Sequence, residues 1–182
     1  MRTTGIILAG GKSTRMNQDK GLMLLDGKPM IQYVIYTLNS LVDEIIIISN
    51  NAAYEQFGYP VYSDLIKDKG PLAGIYTGLF YAQSETNIVL SCDVPYVSEA
   101  LISFLLSEHQ QHQITIPKKK DRTHQLIGVF SKSCEVNFAL SIEKEELKLI
   151  DAFKNLNLNV IDANHFDVDL FRNLNSPNDL DN

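Results

Sequence analysis

Cysteine is scarce in this 182-residue chain: Cys92 and Cys134 are the only two, and they form no C-x-x-C pair. That excludes a disulfide scaffold and a cysteine-rich zinc module, and it predicts a reducing compartment. No apolar run is long enough to span a bilayer. Met1-Arg2-Thr3-Thr4 passes straight into an apolar segment, which predicts a cytoplasmic protein without a signal peptide or membrane association. Positive charge is also in deficit. A formal net charge of −6 argues against a general nucleic-acid binder, whose footprint is basic. Internal repeats and low-complexity segments are absent. The four histidines, His109, His112, His124 and His165, join no Ser-His-Asp or Cys-His arrangement. His109 and His112 read as solvated groups at the polar end of a helix.

What is present is an ordinary globular composition, 45% hydrophobic and 21% charged, sufficient for one α/β domain covering residues 1–182. Its charge is unevenly distributed. Residues 1–30 carry +3 and the remainder −9, a local anion site on an acidic protein. Within that basic stretch the apolar run Ile6-Ile7-Leu8 stops at Gly10-Gly11, and a loop follows with Lys12, Ser13, Thr14, Arg15 and Lys20. Buried strand, glycine turn and then cations is a phosphate-binding pattern, because bare N–H groups can approach the oxygens. It is not a P-loop: G-x-x-x-x-G-K-S/T would need glycine where Ile6 stands, and Ile6 to Leu8 reads as strand interior. The Rossmann G-x-G-x-x-G spacing fails as well, since Gly10 and Gly11 are adjacent.

Strand and helix patterns alternate along the chain. Strands are predicted at Ile6–Ala9, Glu44–Ser49, Val61–Tyr62, Asn87–Ser91, Ile114–Ile116, Leu126–Phe130 and Val160–Ile161. Helices are predicted at Pro29–Leu41, Ala53–Phe57, Gly70 to about Gln83, Ser98-capped to about His109, Val136–Leu140 and Leu147–Phe153, with a last short one from Ser176-Pro177. This order predicts a three-layer α/β/α fold with a mainly parallel, Rossmann-like sheet and ligands at the strands' carboxyl ends. Every polar cluster chosen on chemical grounds follows a strand: Gly10-Gly11, Ser49-Asn50-Asn51, Ser63-Asp64 and Cys92-Asp93. A carboxylate at the end of the apolar strand before Asp93 is costly unless a cation or donors meet it. Magnesium, which takes one or two carboxylates plus substrate phosphates, suits it. Cys92 reads as a small buried hydrophobe. For Lys118-Lys119-Lys120 two readings stand, a solvated turn and a grip on a phosphate. Asn50 and Asn51 read either as turn residues or as contacts to a nucleotide's base or ribose.

The run L-A-G-G-x-S-x-R-M from Leu8 to Met16, a lysine (Lys20) before Gly-Leu, and Asp26-Gly27-Lys28-Pro29 together resemble nucleotidyltransferases of the glycosyltransferase-A-like fold, and among them the molybdenum cofactor guanylyltransferases. Gly70-Pro71-Leu72-Ala73-Gly74 and the ending Asn173-Leu174-Asn175-Ser176-Pro177-Asn178-Asp179-Leu180 are similar too. The segment Arg122-Thr123-His124-Gln125-Leu126 departs from the family's R-x-H-P-T/L, with Gln125 in place of proline. Otherwise the resemblance spans essentially the whole chain.

The resemblance implies transfer of GMP from GTP to the terminal phosphate of molybdenum-molybdopterin, with release of pyrophosphate. Leu8, Ala9, Gly10 and Gly11 would wrap the nucleotide, Lys20 would contact its phosphates, Asp64 the guanine nucleotide, and Asp93 the magnesium ion. Arg15 and Lys20 would offset charge on the leaving pyrophosphate. His124 and Asn175 are the acceptor-side candidates, the N-terminal half holding nucleotide and the C-terminal half acceptor. Molybdenum-insertion proteins and molybdoenzyme chaperones are the implied protein partners. Such chemistry needs no general base, because the attacking phosphate is already ionised. The other readings are a cytidylyltransferase for the same cofactor, another small-molecule nucleotidyltransferase, a non-catalytic GTP-binding regulator and a nucleotide hydrolase. Gly10 favours guanine over the alanine usual in the cytidylyl relatives, since the missing methyl leaves room for a purine. Asp93 speaks against a regulator, and the lack of a water-positioning group against a hydrolase.

Overall fold

The computed structural model describes residues 2–10 and 19–175. Gly11, Arg15 and the Ser176-Pro177 helix start lie outside them. Ten strands and five α-helices follow one another among the described residues: β1 (Thr3–Leu8), β2 (Leu24–Leu25), β3 (Lys28–Pro29), α1 (Met30–Asn39), β4 (Glu44–Ile48), β5 (Val61–Tyr62), α2 (Gly70–Tyr81), β6 (Thr86–Ser91), α3 (Glu99–His109), β7 (Ile114–Lys119), β8 (Arg122–Thr123), β9 (Ile127–Ser131), α4 (Cys134–Glu143), α5 (Leu149–Ala152) and β10 (Leu158–Asp162). Eight of the strands make one sheet in the order β10-β7-β9-β6-β1-β4-β5, with β8 paired to β7.

Consecutive isoleucines explain why both faces of the sheet are covered. Along a strand successive side chains point to opposite faces. Ile45 and Ile47 of β4 join Ile7, Ile88 and Leu90 beneath α1 and α3. Ile46 and Ile48 join Ile6, Leu8 and Val89 beneath α2, α4 and α5. A strand apolar on both faces is stable only between two helical layers, and this sheet has both. The result is the three-layer, mainly parallel architecture expected from the sequence.

The antiparallel exception is β9, which runs against β6 and β7. Seven residues separate the end of β7 from the start of β9, too few for the crossover a parallel return needs. The chain therefore doubles back through β8. A second departure is local. Asp26-Gly27 does not simply lead into a helix: both residues have positive φ (50° and 78°) and close a β2–β3 hairpin. Asp-Gly is the residue pair such two-residue turns demand.

Register aligns the ends of the strands. Leu8 pairs with Ile48 and with Ser91, and the ladder runs one step further through Ala9 N–H to Ile48 O (2.9 Å) and Cys92 N–H to Leu8 O (3.0 Å). The polar residues after β1, β4 and β6 thus leave the sheet at one level. Over this edge α2 lies very close to β1. A Cβ at Gly78 would collide with Ile6 Cγ2 and stand 3.1 Å from its Cδ1.

An alanine in place of glycine stabilises an exposed helix by about 1 kcal/mol. At position 78 the sign reverses. Gly78→Ala should destabilise the protein by about 1–3 kcal/mol through overpacking, read as a lower urea midpoint with unchanged slope.

Candidate active site

The carboxyl ends of β1, β4 and β6 frame a cleft of about 560 Å³. Leu8, Ala9 and Gly10 form one wall, Ser49 and Asn50 the next, and Asp64 and Pro71 the far side. Ser49 Oγ donates to Ala9 O (2.9 Å) and so ties the first two walls together. Asn50 and Asp64 bond reciprocally: Asn50 Nδ2 donates to Asp64 Oδ2 (3.0 Å), and Asp64 N–H donates to Asn50 Oδ1 (3.1 Å). Burial pushes the Asp64 carboxyl up in pKa, and the Asn50 amide partly reverses that.

Lys20 and Asp93 stand beside the cleft, Lys20 next in sequence to cleft-lining Asp19 and Asp93 two residues past cleft-lining Ser91. Lys20 opens a short 3-10 turn, Lys20–Leu22, and its Nζ lies 3.7 Å from Asp93 Oδ2. The same ammonium donates to Asn175 Oδ1 at 2.6 Å. Asp93 is 8% exposed. It is gripped by the returning C-terminal segment, with Asn173 Nδ2 3.4 Å from Oδ1 and Leu174 N–H donating to Asp93 O at 2.9 Å. Leu174, fully buried beside Met23, Leu25 and Met30, pins that segment. The structure therefore gathers Lys20, Asp93 and Asn175, while Leu8, Ala9, Gly10 and Asp64 line the adjoining cleft.

Sequence reasoning missed the support beneath Lys20. Asp19 lines the cleft and accepts from Asn51 Nδ2 (3.1 Å) and from the Tyr54 hydroxyl. Tyr54 is fully buried, and burial, with Cys92 and Asp19 nearby, raises its pKa far above the usual phenol value. Gly21 sits directly on this pair: a Cβ there would strike the Tyr54 hydroxyl and lie 3.1 Å from Cys92 Sγ. The residue after Lys20 must be glycine for the turn to dock. Adjacency of Asp19, Lys20 and Gly21 was the available signal; nothing local in the sequence marks Tyr54. Cys92 is buried as expected, and its thiol pKa is raised, first by that burial.

His124 stands apart from this group. It lines a second cavity of about 600 Å³ with Lys120, Arg122, Phe171 and Arg172. Its ring packs against Phe171 with centroids 4.7 Å apart, and its backbone N–H donates to Pro117 O (3.0 Å). These contacts fix its orientation without the proline that Gln125 replaces. His109 corrects the expectation of a solvated group: it is 5% exposed, with Nδ1 3.1 Å from Thr115 Oγ1 and Nε2 3.2 Å from Ser131 Oγ. Strand hydroxyls reach it because α3 ends directly over β7 and β9. Among the described residues, no three His, Cys, Asp or Glu side chains gather as a metal site, and no helix is long and apolar enough to cross a membrane.

Residues 5–155 match the model of the MobA-like NTP transferase domain family. A Flavobacterium johnsoniae protein named as a probable molybdenum cofactor guanylyltransferase is 37% identical, covering 97% of this chain and 94% of the relative. The Yersinia pestis molybdenum cofactor guanylyltransferase is 36% identical, over 98% of this chain and 93% of its own. The crystal structure of molybdopterin-guanine dinucleotide biosynthesis protein A from Archaeoglobus fulgidus superposes with a TM-score of 0.82 at 22% identity, covering 98% and 95% of the two chains, and so shares the fold.

Burial, followed by the Arg122 charge, pushes the His124 pKa down to about 4 from the ordinary 6.5. Between those values an unfolded chain takes up a proton that the folded protein refuses. The contribution of His124 to stability is thus full above pH 6.5 and is lost as pH falls toward 4. An NMR titration should find the His124 ring neutral at pH 5.5, and His124→Gln should flatten the acid limb of the stability profile. A ring that titrates near 6.5 would contradict the burial argument.

Proposed function

The chain belongs to the MobA-like NTP transferase family, and from that membership we propose a molybdenum cofactor guanylyltransferase that works through the cleft just described. The terminal phosphate of molybdenum-molybdopterin attacks the α-phosphorus of GTP in line. A new P–O bond forms to the acceptor, the bond to the β-phosphate oxygen breaks, and pyrophosphate leaves with the electron pair. The protein's task is positioning and charge neutralisation. What supports this reading is Lys20 beside Asp93 (3.7 Å), next to the cleft that the Asn50–Asp64 pair lines.

Each residue has a role on this reading. Leu8, Ala9, Gly10 and Gly11 wrap the nucleotide. Asp64, oriented by Asn50, accepts from guanine N1–H and the exocyclic amine, which a carboxylate can do with both oxygens. Lys20 and Arg15 offset charge on the departing pyrophosphate, and Asn175 holds the Lys20 ammonium toward Asp93. Asp93 would hold the divalent ion, which we assign as magnesium. Its carboxylate is met by Lys20 and Asn173 at 3.7 and 3.4 Å, and a hard ion that takes one carboxylate plus substrate phosphates suits it. When bound, such an ion polarises phosphoryl oxygens as a Lewis acid. His124 is assigned to the acceptor side. We place the reaction in the cytoplasm, with molybdenum-insertion proteins and molybdoenzyme chaperones as candidate partners, and the C-terminal half of the single domain on the acceptor's side.

Gly10 supports guanine over cytosine. Its backbone is outside the left-handed region, and among the described residues a Cβ there would approach nothing closer than Ile48 O at 3.9 Å and Asp64 Oδ2 at 4.0 Å. The fold therefore does not demand glycine at this position; the space it leaves belongs to the cleft.

Pyrophosphate release should require GTP and molybdenum-molybdopterin together, tested against all four NTPs with and without acceptor. CTP outperforming GTP would overturn the guanylyl assignment. Asp93→Ala should lower turnover by about 100-fold or more at every magnesium concentration, with the circular dichroism spectrum retained. Preserved activity would remove Asp93 from the metal site.

A further inference from the structure

Tyr54 is outside the residues that line the nucleotide cleft and is fully buried, yet it ends in a hydroxyl. Phenylalanine would serve packing alone, since a buried hydroxyl is costly unless it finds a partner. The partner is Asp19, whose Oδ1 accepts from the hydroxyl while its Oδ2 accepts from Asn51 Nδ2 at 3.1 Å. Both donors come from one piece of chain. Asn51 caps the 3-10 segment Ala52–Phe57, its Oδ1 accepting from Ala53 N–H at 3.0 Å, and Tyr54 belongs to that segment. The segment is itself fastened to the end of β4, because Asn51 N–H donates to Ser49 Oγ at 3.1 Å.

These bonds divert Asp19 from its ordinary use. An aspartate at the head of a helical turn usually caps it with its side chain. Asp19 heads the Lys20–Leu22 turn and makes no such cap bond. On the other side of Lys20 the same hydroxyl lies directly against Gly21, where a Cβ would strike it. One atom, Tyr54 Oη, thus holds the residue before Lys20 by a hydrogen bond and the residue after it by contact. Cys92, next in the chain to Asp93, closes the remaining side: a Gly21 Cβ would lie 3.1 Å from its Sγ and 3.2 Å from its Cβ. The backbone spacing between the lysine and the carboxylate is therefore set beneath both of them.

A lysine tip needs such a footing. Its ammonium rides on a flexible four-carbon stem, and here it is met by Asn175 (2.6 Å) and Asp93 (3.7 Å). Those partners can be exchanged for phosphate oxygens without loss of aim only if the start of the stem stays put. We infer that Tyr54 is a positioning residue for the reaction: its hydroxyl, acting through Asp19 and Gly21, holds the turn from which Lys20 reaches the phosphates. This deepens the proposed function and rests on it for the role of Lys20. Placement at this level decides rates, since an error of about 1 Å can cost about 100-fold.

The test is a double-mutant cycle between Tyr54→Phe and Lys20→Ala on the full chain. It is read by calorimetric binding of magnesium-GTP and by pyrophosphate release with molybdenum-molybdopterin. Tyr54→Phe keeps the ring in its place and removes only the hydroxyl. It should weaken GTP binding and lower kcat, each by about fivefold or more, with the acceptor KM unchanged. Once Lys20 is alanine, it should cause no further loss. A change of packing alone would not spare the Lys20→Ala background. Wild-type binding and turnover in Tyr54→Phe overturn the positioning role, and so do losses that multiply in the double variant. Asp19→Asn, which must turn an amide toward one of the two donors, carries the same cycle should Tyr54→Phe not fold. A protein that shows the coupling in GTP binding, yet releases no pyrophosphate, keeps the positioning role and overturns the reaction.

Discussion

The lateral lock between β1, β4 and β6 is the constraint on which everything else depends. Two hydrogen bonds past the end of the regular ladder, from Ala9 to Ile48 and from Cys92 to Leu8, hold the three carboxyl ends level. The isoleucines that make this register unique are buried on both faces. A slip of one residue would exchange every side chain between two differently shaped helical layers. Glycine wall, asparagine wall and the Asp93 carboxylate are therefore brought together by packing some distance away from them, and none of them needs to stabilise the arrangement itself.

Much of the fold could be read directly. Runs such as Ile45-Ile46-Ile47-Ile48 admit few structures other than a covered parallel strand, and Ser98 caps α3 as its sequence suggests, accepting from Leu101 N–H. The β2–β3 hairpin was also legible, since Asp26-Gly27 carries the signal, but the following Lys28-Pro29 reads equally well as a helix start. The reversed β9 was less accessible: strand direction depends on how little chain lies between β7 and β9, and that length is known only once β7 is seen to extend to Lys119. His109 was misread because its partners, Thr115 and Ser131, belong to strands that the sequence does not place near the end of α3.

The site divides in the same way. Asp64 and Asp93 each come just after an apolar strand, Lys20 stands directly before a glycine, and all three stand out on chemical grounds. Their supports do not. Asn50 acts through its bonds to Asp64, Tyr54 through a hydroxyl presented from a 3-10 segment to Asp19, and Asn173 through a chain that returns from the far end of the sequence. Such side chains look ordinary in sequence, because their importance comes from what they hold in place.

Gly10 and Gly21 border the same site, but the protein treats them very differently. Gly21 is walled in by Tyr54 and Cys92, whereas among the described residues a side-chain carbon at Gly10 would meet no atom closer than 3.9 Å. One glycine is an obligation of the architecture; the other is not. A lineage could therefore vary the residue at position 10 with little loss of folding stability, while the lysine-bearing turn stays frozen. Sequence is free to drift where the chain is roomy and is held where it is tight.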